Sequence, residues 1–101
     1  MERERDAEQR LVAGVKALGG RAYKWVSPGN AGVPDRIVIL PGGHVLFVEV
    51  KKKDGLVRPM QRSQLKRLRR MGCSVWVLYG EEDVRVFLKM LELRFTDWRQ
   101  G

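Results

Sequence analysis

Apolar residues recur with two different periods along the chain, and the changes between them outline seven elements. From residue 3 to about residue 18, Leu11, Val12, Val15 and Leu18 fall on one stripe of a helix that Gly19-Gly20 closes. Arg21 to Val26 alternates as a strand does and runs into the turn-forming Ser27-Pro28-Gly29-Asn30. Two strands rich in β-branched residues follow, Asp35 to Leu40 (DRIVIL) and Val45 to Lys51 (VLFVEVK). Pro41-Gly42-Gly43 between them predicts a hairpin. Pro59 suits the first turn of a second helix, which reaches about Met71 and stops at Gly72. Ser74 to Tyr79 (SVWVLY) reads as a short apolar strand. Glu81, Glu82 and Asp83 suit the start of a third helix, with Val84, Phe87, Leu88 and Leu91 at helical spacing. Val84, Val86 and Leu88 also alternate, so residues 84–90 fit a helix or a strand. The tail from Leu93 to Gly101 has no assignable period, and its Trp98 suits packing on the domain or on another subunit.

This order, αβββαβα, predicts an α/β fold in which a mixed four-stranded sheet is flanked by helices. The hairpin strands must be antiparallel, whereas the strand after the second helix can return parallel through a crossover. With no internal repeat, linker or low-complexity segment, residues 1–101 read as a single domain.

The hairpin brings charge into apolar surroundings. If Pro41, Gly42 and Gly43 form a three-residue loop, Leu40 faces His44 and, in the same register, Asp35 faces Glu49. Opposed residues share a sheet face, and Lys51, two positions beyond Glu49, projects from that face too. Paired carboxylates in a half-buried setting repel, and a divalent cation resolves the conflict. Mg²⁺ takes one or two carboxylates together with water and phosphate oxygens, and the Val50 carbonyl offers a further oxygen. Lys51 could then orient a water or neutralise charge developing on a phosphate. The same residues also suit an ordinary strand-face ion pair, with Asp35 simply opening its strand.

Two helical polar residues point the same way. Taking Glu8 as the origin, Val12 lies about 40° to one side and Val15 about 20° to the other, so Glu8 sits within the apolar stripe. It needs a partner there, either a metal, a water on a metal or Lys51, unless it reaches solvent at the stripe's edge. Gln61 shares a helix face with Leu65 and Leu68, a placement that suits positioning Lys51 or a substrate and equally suits capping a strand edge. His44, at the hairpin end, reads as a surface turn residue. Cys73, the only cysteine, reads as a small half-buried residue after the helix.

Charge changes the picture once it is located. The chain carries a formal net charge of +8, and residues 51–70 hold nine Lys or Arg against the single acid Asp54. All of the excess therefore lies in one window. Within it Lys52, Lys53, Arg58, Arg62, Lys66, Arg69 and Arg70 are the candidate phosphate contacts, because a concentrated basic patch fits a polyanion. A membrane surface would need a free apolar helix face, which this helix spends on the core, so nucleic acid is the expected partner. No apolar run is long enough to span a bilayer, and the N-terminal MERERDAEQR is charged throughout, which argues against a secretory signal. With one cysteine and no Cys/His cluster, an intracellular setting is expected.

Gly32-Val33-Pro34-Asp35 followed by Phe47-Val48-Glu49-Val50-Lys51 resembles the PD-(D/E)XK nuclease superfamily. More narrowly, with KKKDGLVRPMQ and LKRLRRMGCSVWVL, the chain resembles the VRR-Nuc (viral replication and repair nuclease) domain to about Leu91. It differs from the family at Gln64, where members often carry an aromatic residue. The resemblance implies a restriction-endonuclease-like core and a Mg²⁺- or Mn²⁺-dependent DNA endonuclease. Asp35 and Glu49 would be metal ligands, Lys51 the catalytic lysine, and Glu8 the acidic residue of the first helix. It further implies a homodimer, similar to Holliday-junction resolvases, that cuts branched or flap DNA in replication, recombination or repair. No small-molecule cofactor is expected. The alternative is a nucleic-acid-binding module on the same fold without turnover.

Overall fold

Residues 3–95 are described by the computed structural model, and they form the seven elements in the expected order. The first helix, α1 (Glu4–Ala17), starts where the Asp6 carboxylate accepts the Arg3 backbone N–H, and it buries Ala7, Leu11 and Val15 completely. Strand β1 (Arg21–Lys24) is shorter than its alternation suggests, although the Trp25 N–H still reaches the Asp35 carbonyl at 2.9 Å. Strands β2 (Arg36–Leu40) and β3 (His44–Lys51) form the hairpin, with Gly42 and Gly43 both at positive φ in its loop. Helix α2 (Pro59–Arg70), strand β4 (Ser74–Tyr79) and helix α3 (Gly80–Arg94) complete the unit.

Residues 84–90 are helical. Val84, Phe87 and Leu91 are buried while Val86 is exposed, a pattern that follows the helical period and that an alternating strand would reverse. Helix α3 packs against α1, closely enough that a side chain on Gly14 would overlap Leu88. The part of the tail that holds Trp98, residues 96–101, lies outside the described residues.

The sheet order is β1-β2-β3-β4, with the first two pairings antiparallel and β3 parallel to β4. Leu40 pairs with His44 and Arg36 with Val48, which is the register of a three-residue loop. Alternation then divides the sheet cleanly. Ala22, Val38, Leu40, Leu46, Val48, Val50 and Leu78 point to one face and form a single cluster with α1 and α3. Helix α2 lies on the opposite face against β4, burying Leu65 and Leu68. The result is a three-layer α/β domain in which helices cover both faces of a mixed sheet. Truncating Leu11 or Val38, both wholly buried, would cost about 2–5 kcal/mol through lost contacts and a residual cavity.

Candidate active site

The site begins with a proline two residues ahead of β2. Because the Asp35 carbonyl is turned toward β1, alternation directs the even-numbered residues of β2 toward β3. Continued two residues past the last pair, Arg36 with Val48, the register sets Val50 opposite Pro34. Proline has no N–H, so it offers nothing to the Val50 carbonyl. The Val50 N–H instead donates to Asp35 Oδ2 at 3.0 Å, and the Asp35 N–H donates to Glu49 Oε1 at 3.2 Å. Two reciprocal side-chain bonds thus replace the missing rung and fix both carboxylates beside each other.

Glu49 is 2% exposed, and its second oxygen is held from two sides. Gln61 Nε2 donates to Oε2 at 2.9 Å, and the Lys51 ammonium lies 3.4 Å from the same atom. Gln61 Oε1 also accepts the Arg58 N–H at 3.0 Å, so one amide caps α2 and ties its N-terminus to the acid pair. The preceding loop is fixed to the same helix. Gly32, at φ 89°, lies so near α2 that a Cβ there would come within 2.8 Å of the Met60 carbonyl oxygen. Gln64 Nε2 donates to the Ala31 carbonyl at 3.1 Å, which pins the GVPD loop to α2 by a hydrogen bond.

Burial sets the electrostatics. The Glu49 carboxyl is pushed up from 4.5 to about 7, first by desolvation and then by the Asp35 charge, with Lys51 opposing. Asp35 is also raised, mainly by desolvation; the bond from Val50 works against the rise and the charge of Glu8 adds to it. The cluster therefore has too little positive charge for its two acids, although Lys51 is already beside them.

Asp35, Glu49, Lys51 and Gln61 come together as the sequence predicts, with the Val50 backbone between them. Glu8 does not join them. Its carboxylate accepts from Arg36 Nε at 2.8 Å, and Arg36 Nη1 also donates to the Ala22 carbonyl at 3.1 Å. This corrects Lys51 as an expected partner of Glu8: the half-buried carboxylate pairs with Arg36 instead. The reason is alternation: Arg36 follows Asp35 by one residue, so it points to the α1 side while the acid pair meets α2. Glu8 thus acts on Asp35 across the end of the sheet. That arginine is the residue the sequence reading missed, and its position next to Asp35 was the available signal.

Lys52, Lys53, Arg58, Arg62, Lys66, Arg69 and Arg70 are all exposed. Arg62 and Arg69 also donate to the Val57 and Val75 carbonyls. His44 is exposed and rests on the Phe95 ring, and Cys73 is half-buried, as expected of both.

The model of the VRR-NUC domain matches residues 3–82. The chain belongs to that family. It is 45% identical over 80 residues to a protein of Acyrthosiphon pisum secondary endosymbiont phage 1 named "Putative nuclease p44", a match covering 79% of this chain and 86% of the phage protein. A solved VRR_NUC domain superposes with a TM-score of 0.81 at 31% identity, covering 88% of this chain and 97% of the other. A second, described as a VRR_NUC domain protein, has a TM-score of 0.61 at 19% identity, covers 86% of this chain and 88% of its own, and speaks for the fold alone. Family and phage relative together support a nuclease, and no helix among the described residues is long and apolar enough to cross a membrane.

A divalent cation suits the donor set. Asp35 Oδ2 and both Glu49 oxygens have hydrogen-bond partners, while Asp35 Oδ1 accepts no hydrogen bond from the described residues. The Val50 carbonyl adds the oxygen that Pro34 leaves without a ladder donor. Among the described residues no group of three or more His, Cys, Asp or Glu is placed to hold a metal. An ion here would therefore complete its shell with water and substrate oxygens, as Mg²⁺ commonly does.

Proposed function

We propose that this protein is a Mg²⁺- or Mn²⁺-dependent DNA endonuclease selective for branched, junction or flap structures. The observation that carries the proposal is the pairing of half-buried Asp35 with buried Glu49, the latter held by Gln61 and Lys51 at the foot of a strongly basic helix. Asp35, Glu49 and the Val50 carbonyl would hold the ion, which when bound polarises a phosphoryl group and acidifies a water. Lys51 spends part of its hydrogen-bonding capacity on Glu49 and directs the rest to charge building on the phosphate. Gln61 keeps Glu49 oriented and neutral Nε2–H donation favours its ionised form. Glu8, paired with Arg36, adds negative potential at Asp35. Lys52, Lys53, Arg58, Arg62, Lys66, Arg69 and Arg70 take backbone phosphates, contacts that position DNA without reading its sequence.

The same reading treats residues 1–101 as one catalytic unit that works inside the cell at the nucleoid. It acts as a homodimer, because a chain with one such site cuts both strands most simply as a symmetric pair. The test is incubation with supercoiled plasmid, four-way junction, flap, splayed and linear DNA, each with Mg²⁺, Mn²⁺ or EDTA. Cutting that requires metal, disappears in Asp35→Ala and favours branched substrates is expected. No cutting under any condition, with DNA binding intact, would establish a binding module without turnover instead.

A further inference from the structure

The register places more than the acid pair on the α2 side of the sheet. Across the strands, Trp25, Asp35, Glu49 and Val77 form one row on this face. The next row is Tyr23, Ile37, Phe47 and Val75, and the one after it contains Arg21, Ile39 and Val45. Helix α2 packs mainly on β4, its N-terminal turns reaching Glu49 and the Ala31–Gly32 loop, and among the described residues Tyr23 and Ile39 on the β1–β2 half of the face stay exposed. Tyr23 is 55% exposed, Ile39 38% and Val45 43%, while Trp25 is half-buried.

The aromatic side chains in this open half are organised. Trp25 and Phe47 stand with ring centroids 5.3 Å apart at 46°, so the indole is braced from the side. Neither the Tyr23 hydroxyl nor the Trp25 indole N–H has a hydrogen-bond partner among the described residues. Trp25 is also the immediate row neighbour of Asp35, and adjacent strands lie about 4.8 Å apart. Apart from Asp35 and Glu49, the strand residues on this face include no acid, and Arg21 stands at its far corner. An apolar surface that begins beside a phosphate-directed acid pair, carries aromatic rings and is bordered by arginine has the chemistry of an unpaired nucleic-acid strand: anionic backbone and flat bases.

Resting on the nuclease reading above, we propose that Trp25 and Tyr23 form a base-stacking platform for an unpaired nucleotide adjoining the phosphate at Asp35 and Glu49. A base in a duplex is already stacked on its neighbours, whereas a base at a junction or flap is free to settle on the indole. The platform would thus favour DNA with an unpaired segment through stacking, independently of sequence.

The experiment measures binding and needs no turnover. Equilibrium binding of a splayed oligonucleotide and a fully paired duplex is compared in EDTA for the wild type, Trp25→Ala, Trp25→Phe and Tyr23→Ala. A parallel substrate carries an abasic site in its unpaired arm. Loss of one stacked base is worth about a 5- to 150-fold weakening. Trp25→Ala is expected to weaken splayed DNA by that factor, with duplex binding little changed and Trp25→Phe recovering most of the loss. The abasic substrate should reproduce the defect in the wild type and add nothing to it in Trp25→Ala.

Equal losses on duplex and splayed DNA, or full additivity of Trp25→Ala with the abasic site, would overturn the platform. So would conversion of a dimer to a monomer by Trp25→Ala in sedimentation, which would assign this face to a second copy of the chain. Wild-type protein that binds neither DNA would count against the nuclease reading itself, a result distinct from all of these.

Discussion

Replacing Glu49 by glutamine should make the metal-free protein less sensitive to pH. In the fold the Glu49 carboxyl titrates near 7, against an ordinary value of 4.5. Between those two pH values the folded protein holds a proton that the unfolded chain has released. Stability is therefore fully supported below about pH 4.5 and is withdrawn as the pH rises to about 7. A displacement of this size corresponds to on the order of 3 kcal/mol at about 1.4 kcal/mol per unit. Asp35, also raised, works in the same direction. The assay is guanidinium unfolding at pH 5 and pH 8 in EDTA, for wild type and Glu49→Gln. The wild type should lose about 2–3 kcal/mol more than the variant on going from pH 5 to pH 8. Comparing the two proteins removes what their other titrating groups contribute in common. Saturating Mn²⁺ at pH 8 should then restore stability to the wild type alone, since a ligand of the folded state stabilises by mass action. Parallel profiles in EDTA would refute the claim that Glu49 is an over-buried acid.

Three further variants probe separate parts of the site. Lys51→Ala should lower cleavage by about 10²-fold or more while leaving DNA binding in place, because it removes a donor to developing charge; a matching loss of binding, read by filter retention, would make it a phosphate anchor only. Gln61→Leu deprives Glu49 of its 2.9 Å bond and Arg58 of its cap acceptor. It should destabilise the protein at pH 8 by about 1.5–3 kcal/mol, and move the acid limb of the cleavage profile to higher pH. The double substitution Lys66→Gln, Arg70→Gln should weaken all DNA structures alike, reducing the slope of log affinity against log salt by about 1–2; an unchanged slope would place the DNA elsewhere.

Much of the site could be read from residues 32–51 because hairpin register is discrete. Pro41-Gly42-Gly43 fixes the loop length, and once Leu40 faces His44, Asp35 must face Glu49. The helical stripe of α2 likewise set Gln61 on the same side as Leu65 and Leu68, as found. Glu8 was harder. Its angle on α1 showed that it needed a partner, but which strand residue meets a helix depends on how the layers pack, and Arg36 lies on a different element. Residues 84–90 were ambiguous because Val84, Val86 and Leu88 satisfy both periods, and only burial separates them. The open aromatic face was hidden for a similar reason: alternation places Tyr23, Trp25 and Phe47 on one side, yet nothing in the pattern says that α2 packs mainly on β4.

Calorimetric titration of Mn²⁺ into the protein in EDTA-free buffer at pH 6 and pH 8 tests the metal centre most directly. Ionised ligands are required, so binding at pH 6 must displace the proton that Glu49 carries there. One site per chain is predicted, with about one proton released at pH 6 and markedly less at pH 8, and with binding abolished by Asp35→Asn. Mn²⁺ binding that Asp35→Asn leaves intact, or that releases no proton at pH 6, would contradict a metal centre built on Asp35 and Glu49.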